Sequence, residues 1–287
     1  MRSSKKTSQT SLLLNGAAIL LVVTSVGVVL RSAFVGDEVV PCRERFTSGT
    51  RFSLESNGGP VSPEQLQGEL ANTDWGLTSG ARVVNVKSSP SKHVLELDLA
   101  TAPSVAADKT GERAGIGFEW APQSFGKPQA ACLSYSVFVP AGFTFGQGGR
   151  LPGLQGGSTE HASDAAGGFS TRYTWSGNGE LDVYPQLPGL GEGRSLGGKL
   201  GDFALTPGKW TELEQEIVLN SPDKSDGVLR VWQDGSLVLE KKNVAFRNKS
   251  SVGLTGVLAE AAAGAPQAAA SRGTQKIWLS PFELRWN

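Results

Sequence analysis

Two short runs hold the side chains best placed to do chemistry. Ser170 and Arg172 lie two apart in GGFSTRYTW, and Asp182, Tyr184 and Gln186 alternate in GELDVYPQLPG. On an extended strand alternate residues share a face. Ser170 and Arg172 therefore point one way, as do Asp182, Tyr184 and Gln186 on the next strand. If the two strands pair as a hairpin, a guanidinium, a hydroxyl and a phenol converge on one sheet face. A guanidinium is costly to bury alone, but it suits a wet cleft that receives anions, where its fork matches a carboxylate. Upstream, GGRLPGLQGG adds Arg150, and the Gly-, Ser- and Ala-rich stretch 147–168 reads as a loop carrying His161. The glycines of that run shape a tight turn on this reading, and it lacks the GK(S/T) ending of a phosphate loop.

Each of these residues also has a plainer explanation. Arg172 could be a surface strand residue in an ion pair, Tyr184 a half-buried packing residue and Arg150 a structural contact. His161 could be an idle solvated side chain. Trp175, Trp210 and Trp232 could stack on sugar rings, but aromatic residues more often pack a core.

The elements that must position these groups are short strands. Runs of strand character cover 82–87, 93–100, 115–120, 131–140, 168–175, 180–186, 210–220, 228–233, 236–242, 252–258 and 276–285. In 210–220, Leu213, Ile217 and Leu219 fall on one face, and Glu212, Glu214 and Glu216 on the other. Asp234-Gly235 separates two strand-like runs and signals a type I′ hairpin. Residues 63–70 could form one short helix, and the Ala-rich stretch 259–273 reads as a surface loop broken by Gly264 and Pro266. No βαβ alternation appears, which argues against a parallel sheet. The expected fold is all-β: an antiparallel two-sheet jelly-roll sandwich, with an N-terminal transmembrane or signal helix ahead of it.

The 287 residues carry 27 acidic and 27 basic side chains, with 37 glycines. That balance gives no nucleic-acid footprint. The expected division is 1–36 as a signal anchor and 37–287 as a single domain. In the first part Arg2, Lys5 and Lys6 precede the apolar stretch 12–30, about 19 residues, which at about 1.5 Å each nearly spans a bilayer core. Lysines ahead of such a span place the remainder outside the cytoplasm, whether the segment is kept as an anchor or removed as a signal peptide. The protein is thus expected to be exported, touching the membrane through its N-terminal segment only. In an oxidising compartment Cys42 and Cys132 are permitted a disulfide, and two reduced cysteines are the alternative. Two cysteines and two distant histidines, His93 and His161, make no metal-ligand cluster.

Taken in order, GGRLPGL, GFSTR, a tyrosine-bearing strand, and GKW followed by VWQDG make the chain similar to polysaccharide lyase family 14. These are the alginate and glucuronate lyases of algal viruses, molluscs and bacteria. The resemblance implies a cofactor-free lyase that cleaves an acidic, uronate-containing polysaccharide by β-elimination. Such an enzyme needs a group to stabilise charge developing on the substrate carboxylate. It also needs a base for the proton α to that carboxylate and an acid for the leaving oxygen. A tyrosine can take both proton-transfer roles where a neighbouring cation lowers its pKa from about 10. Carried over by motif, the resemblance implies that Arg150, Ser170, Arg172 and Tyr184 are catalytic. Gln186 and Asp182, on the face of Tyr184, and His161 in the loop are expected as substrate contacts. Two positions depart from the family pattern. Arg150 stands where a Lys is frequent, and an arginine stays protonated and makes a poor base; Gln186 stands where a second tyrosine is expected. These departures keep open a non-catalytic carbohydrate-binding module. Glu180, Asp182 and Tyr184 follow the spacing of a glycoside hydrolase strand, but such an enzyme needs two carboxyls in acid and nucleophile roles, and the third position is a tyrosine.

Overall fold

A computed structural model describes residues 39–70, 74–99, 115–157, 168–190, 196, 203–264 and 275–287. The chain divides into the units Met1–Val40 and Pro41–Asn287, and the second carries the fold described below. The expected span at 12–30 and His161 lie outside the described residues. Among the described residues no helix is long and apolar enough to cross a membrane.

In chain order the elements are α1 (Cys42–Arg45), β1 (Ser48–Arg51), β2 (Glu55–Ser56), β3 (Gly59–Pro60), α2 (Pro63–Glu69), α3 (Leu77–Gly80), β4 (Ala81–Val84), β5 (Val94–Asp98), β6 (Gly115–Ile116), β7 (Glu119–Trp120) and β8 (Ala130–Phe138). They continue through β9 (Gly149–Gly156), β10 (Phe169–Trp175), β11 (Leu181–Gln186), β12 (Trp210–Val218), β13 (Gly227–Gln233), β14 (Ser236–Val244), β15 (Leu254–Leu258), β16 (Ala261–Ala263), β17 (Lys276–Leu279) and β18 (Glu283–Trp286). One sheet runs β14-β13-β12-β8-β17-β5-β4, with β18 bonded to β8 and β1. The other runs β11-β10-β9-β15-β7, with β16 bonded to β9 and β6. All these pairings are antiparallel. The molecule is the expected two-sheet jelly-roll sandwich.

The core lies between the sheets. Leu133, Tyr135, Val137, Leu213, Ile217, Leu229 and Val231 face it from the first sheet; Leu151, Leu154, Tyr173, Trp175 and Val183 face it from the second. Trp175 is therefore a packing residue. Trp232 is buried on the outer side of the first sheet, with the Arg45 guanidinium 5.9 Å from its ring. Trp210 packs on Phe138, ring centroids 5.4 Å apart. The Asp234-Gly235 turn has positive φ at both residues, 50° and 81°, as a type I′ hairpin requires. Helix α2 starts at a capping box between Ser62 and Gln65, with Pro63 in its first turn.

The acidic face of β12 is covered rather than wet. Helix α1 lies over it, pinned by the Cys42–Cys132 disulfide. Arg43 pairs with Glu212 and Glu214, and Arg45 reaches Glu216 at 2.7 Å, where Arg230 joins at 2.8 Å. Burial pushes the Glu214 carboxyl above its ordinary range, against the opposing pull of Arg43.

Three local expectations are corrected. Residues 147–168, read as a loop, contain β9, an interior strand of the second sheet. Gly149 and Gly156 make room for neighbouring rings. A Cβ on Gly149 would lie 2.0 Å from the Trp175 ring, and one on Gly156 2.3 Å from Phe169. Residues 259–273, also read as loop, contain β16. The run 276–285 is two strands, because Pro281 has no N–H for a ladder.

Candidate active site

The predicted hairpin exists. Strands β10 and β11 pair with Ser170 opposite Gln186, Arg172 opposite Tyr184, and Thr174 opposite Asp182. On the other side of β10, Thr174 lies opposite Arg150 and Ser170 opposite Gln155 of β9. Directly opposed residues share a face, so all of these point away from the core. Their neighbours Thr171, Tyr173 and Trp175 point into it.

Between Thr171 and Tyr173 the β9–β10 register slips. Thr171 is opposite Leu154 and Tyr173 is opposite Leu151, so Pro152 and Gly153 together face Arg172. Such a bulge bends the strand and re-aims a side chain. The sequence of the LPGL motif accounts for it. Pro152 cannot donate to a ladder. Gly153 admits β10 at close range, since a Cβ there would be 2.2 Å from the Thr171 carbonyl oxygen. The backbone groups freed by the slip are satisfied from across the sandwich by Gln215 of β12. Its Nε2 donates to Thr171 O at 2.7 Å. Its Oε1 accepts from Leu154 N at 2.8 Å and Thr171 Oγ1 at 2.9 Å. Tyr135 adds a phenol bond to Pro152 O at 2.9 Å. A buried backbone polar group left unpaired is expensive, so Gln215 fixes the bulge, and the bulge fixes Arg172.

Arg172 is 5% exposed and is held on two sides. Its Nη2 donates to Gln186 Oε1 at 2.9 Å, and Ser170 Oγ donates to the same oxygen at 3.0 Å. Its Nη1 forms an ion pair with Glu260. Glu260 also accepts from Arg150 Nη1 at 3.1 Å. Arg150 in turn lies over the Tyr184 ring, 5.7 Å from its centroid. The result is one connected constellation, Ser170–Gln186–Arg172–Glu260–Arg150–Tyr184, with two cations and one anion on the sheet face. Asp182 shares this face, but its carboxylate accepts from the adjacent Val183 amide at 2.7 Å. His161 lies outside the described residues.

The chain has 3 tyrosines. Burial raises the phenols of Tyr135 and Tyr173 well above the ordinary tyrosine range, and both are in the core. Tyr184 is the half-buried phenol on the outer face.

Glu260 and Gln215 were not singled out from sequence. Glu260 sits in the Ala-rich stretch, and its role follows from Ala262 pairing with Arg150, which sets Glu260 on the face of Arg150. Gln215 had a legible signal: it is the one polar residue between Leu213 and Ile217 on an apolar strand face.

Residues 87–282 match the family model described as Polysaccharide lyase 14, a span that includes β9, β10, β11 and Glu260. The chain belongs to polysaccharide lyase family 14. Solved structures share the fold of this lyase. A family-14 alginate lyase from Aplysia kurodai superposes with a TM-score of 0.63 at 21% identity, covering 84% of this chain and 99% of that one. An alginate lyase from a Chlorella virus gives 0.60 at 18%, covering 83% and 99%. An endo-β-1,4-glucuronan lyase from Trichoderma reesei gives 0.52 at 13%, covering 84% and 96%. No curated protein sequence matches this one significantly. Not all family motifs of this lyase build the site. Asn220, at the end of GKWTELEQEIVLN, bonds the backbone of Ser221, Lys224, Phe246 and Arg247. Asp234 of VWQDG bonds Lys209 Nζ and Glu212 N. Both are framework residues.

Proposed function

We propose that this lyase cleaves a uronate-containing acidic polysaccharide by β-elimination on the outer face of the second sheet. The observation that carries the reading is the register pairing of Arg172 with Tyr184, with Arg150 over the tyrosine ring. The named relatives act on alginate or glucuronan, which supports a polyuronate substrate.

In this reading Arg172 faces the carboxylate of the ring that loses a proton. Charge builds there as the α-proton leaves, and a preorganised donor lowers that barrier. Tyr184 exchanges protons with the substrate. It takes the α-proton, returns one to the leaving glycosidic oxygen, or does both as the C–O bond breaks and the new double bond forms. Arg150 remains protonated and serves as the cation beside that phenol, not as a base. Ser170 and Gln186 hold the Arg172 fork in its plane, and Glu260 holds Arg150 and Arg172 apart at a fixed spacing. Gln186, expected as a substrate contact, also orients Arg172 by accepting from its Nη2.

Arg172→Ala and Tyr184→Phe should each lower kcat/KM about 10²–10³-fold, the usual loss for one such donor, while circular dichroism stays unchanged. Full activity in both variants would sink the assignment. A non-catalytic binding module, favoured by Arg150 in place of Lys, would bind polyuronate but release no unsaturated product absorbing in the ultraviolet. The apolar stretch 12–30 and the disulfide, which persists in oxidising compartments, support a domain exported from the cytoplasm and tethered by its N-terminal segment. A cytoplasm-only reporter fused to the C-terminus should stay silent.

A further inference from the structure

One group on the site face is left over by the constellation above. Gln155 lies directly opposite Ser170 across the β9–β10 ladder, so its side chain stands on the same outer face. It is 1% exposed, and its Oε1 has no hydrogen-bond partner. A buried carboxamide oxygen without a partner is destabilising. An apolar residue of equal length would sit in that place at less cost. Natural chains keep such a local penalty chiefly where function requires it.

Its position indicates what would satisfy it. Neighbouring strands are about 4.8 Å apart, and two residues along a strand span about 6.8 Å. Gln155 is one strand over and one same-face position along from Arg172. A polysaccharide crossing the face along that offset, with one carboxylate at Arg172, would set its next ring beside Gln155. The row across the sheet at this level is Gln155, Ser170, Gln186. It carries two carboxamides and a hydroxyl and no charge, unlike the row of Arg172 and Tyr184. On the far side of Gln155 the ladder partner is Gly256, which brings no side chain into the row.

We propose that Gln155 Oε1 accepts a hydrogen bond from a hydroxyl of the sugar ring adjoining the scissile one, a neutral, hydroxyl-reading contact beside the carboxylate-reading Arg172. The inference rests on the lyase reading above. Ser170 and Gln155 are directly opposed neighbours on this face, so a sugar that reaches Ser170 lies within about one strand spacing, about 4.8 Å, of Gln155. Gln155 is a binding residue and takes no part in proton transfer.

The test compares wild type with Gln155→Leu and Gln155→Met, using tetrasaccharides of mannuronate, guluronate and glucuronate. Binding is read by calorimetry, turnover by release of unsaturated product, and stability by melting temperature. The expected result is a Kd and KM raised about three- to tenfold, the weight of one neutral hydrogen bond, with kcat held. The melting temperature should rise, because the unpartnered amide is gone. Unchanged Kd and KM in both variants would overturn the inference while leaving the lyase reading intact. So would a drop in kcat at constant KM, which would place Gln155 in the support of Arg172. If Gln155→Leu does not fold, Gln155→Met decides by the same criteria. A wild-type chain that neither binds nor cleaves any of the three removes both the lyase reading and this one.

Discussion

Gly153→Ala probes the link between the LPGL motif and Arg172. The new Cβ would lie 2.2 Å from Thr171 O and 2.6 Å from Arg172 Cα. A carbon–oxygen contact settles at about 3.3 Å, so β9 and β10 must separate by about 1 Å at the bulge. The three Gln215 bonds there, now 2.7, 2.8 and 2.9 Å, would stretch toward 3.8 Å on at least one strand, beyond useful hydrogen-bonding range of about 3.2 Å. At about 1 kcal/mol for each bond lost, the one or two bonds to the strand that moves away from Gln215 cost roughly 1–2 kcal/mol. For a domain of this size that is a fall in melting temperature of roughly 2–8 °C. A displacement of about 1 Å in a positioning element costs about 10²-fold in rate, and kcat/KM for polyuronate should drop by that order. Gly68→Ala is the control. It lies in α2 with nothing near its added methyl, and alanine there should hold or slightly raise stability. Scanning calorimetry and initial rates of unsaturated product check both variants. Undiminished activity and unchanged melting in Gly153→Ala would show that the bulge does not position Arg172.

Two further predictions concern the first sheet. The Glu214 carboxyl is pushed up by burial, so the folded chain binds its proton more tightly than the unfolded chain, and this group makes stability fall as pH rises through the window above the ordinary carboxyl range. Glu214→Gln should therefore out-melt wild type at pH 7 and lose its advantage as pH falls below about 4.3, where both states of wild type are protonated; an advantage that persists in acid refutes the cause. Replacing Cys42 and Cys132 together by serine opens a bridge between residues 90 apart. It should lower stability by roughly 2–4 kcal/mol, seen as an earlier guanidinium midpoint in the oxidised protein, and an unmoved midpoint would show that α1 stays docked without it.

Where period-2 alternation is clean, the fold was legible. β12, β13 and β14 lie within one or two residues of their expected bounds, and the Asp234-Gly235 turn has the φ values its residues demand. The pairing of Ser170 with Gln186 and of Arg172 with Tyr184 also followed from spacing, given a hairpin. β9 was hidden because Gly and Pro ordinarily break strands. Here they are needed for a register slip and for seating Trp175 and Phe169, and both needs come from other strands. Glu260 was hidden because its meaning arises only when β16 docks on β9, 110 residues away from Arg150 in sequence. Local pattern reports a residue's own strand; it cannot report the partner that the strand acquires.

The clasp formed by α1 has a mechanical consequence. Any tension transmitted along the chain from ahead of Pro41 meets Cys42 almost at once, and passes through a covalent bond into Cys132. Cys132 sits on β8, which is flanked by β12 on one side and β18 on the other. A pull therefore loads an interior strand of the sheet opposite the Arg172 face, where hydrogen bonds on both flanks share the force, instead of peeling an edge strand one bond at a time. A polymer held on the Arg172 face would therefore load the two sheets in series, through the core between them.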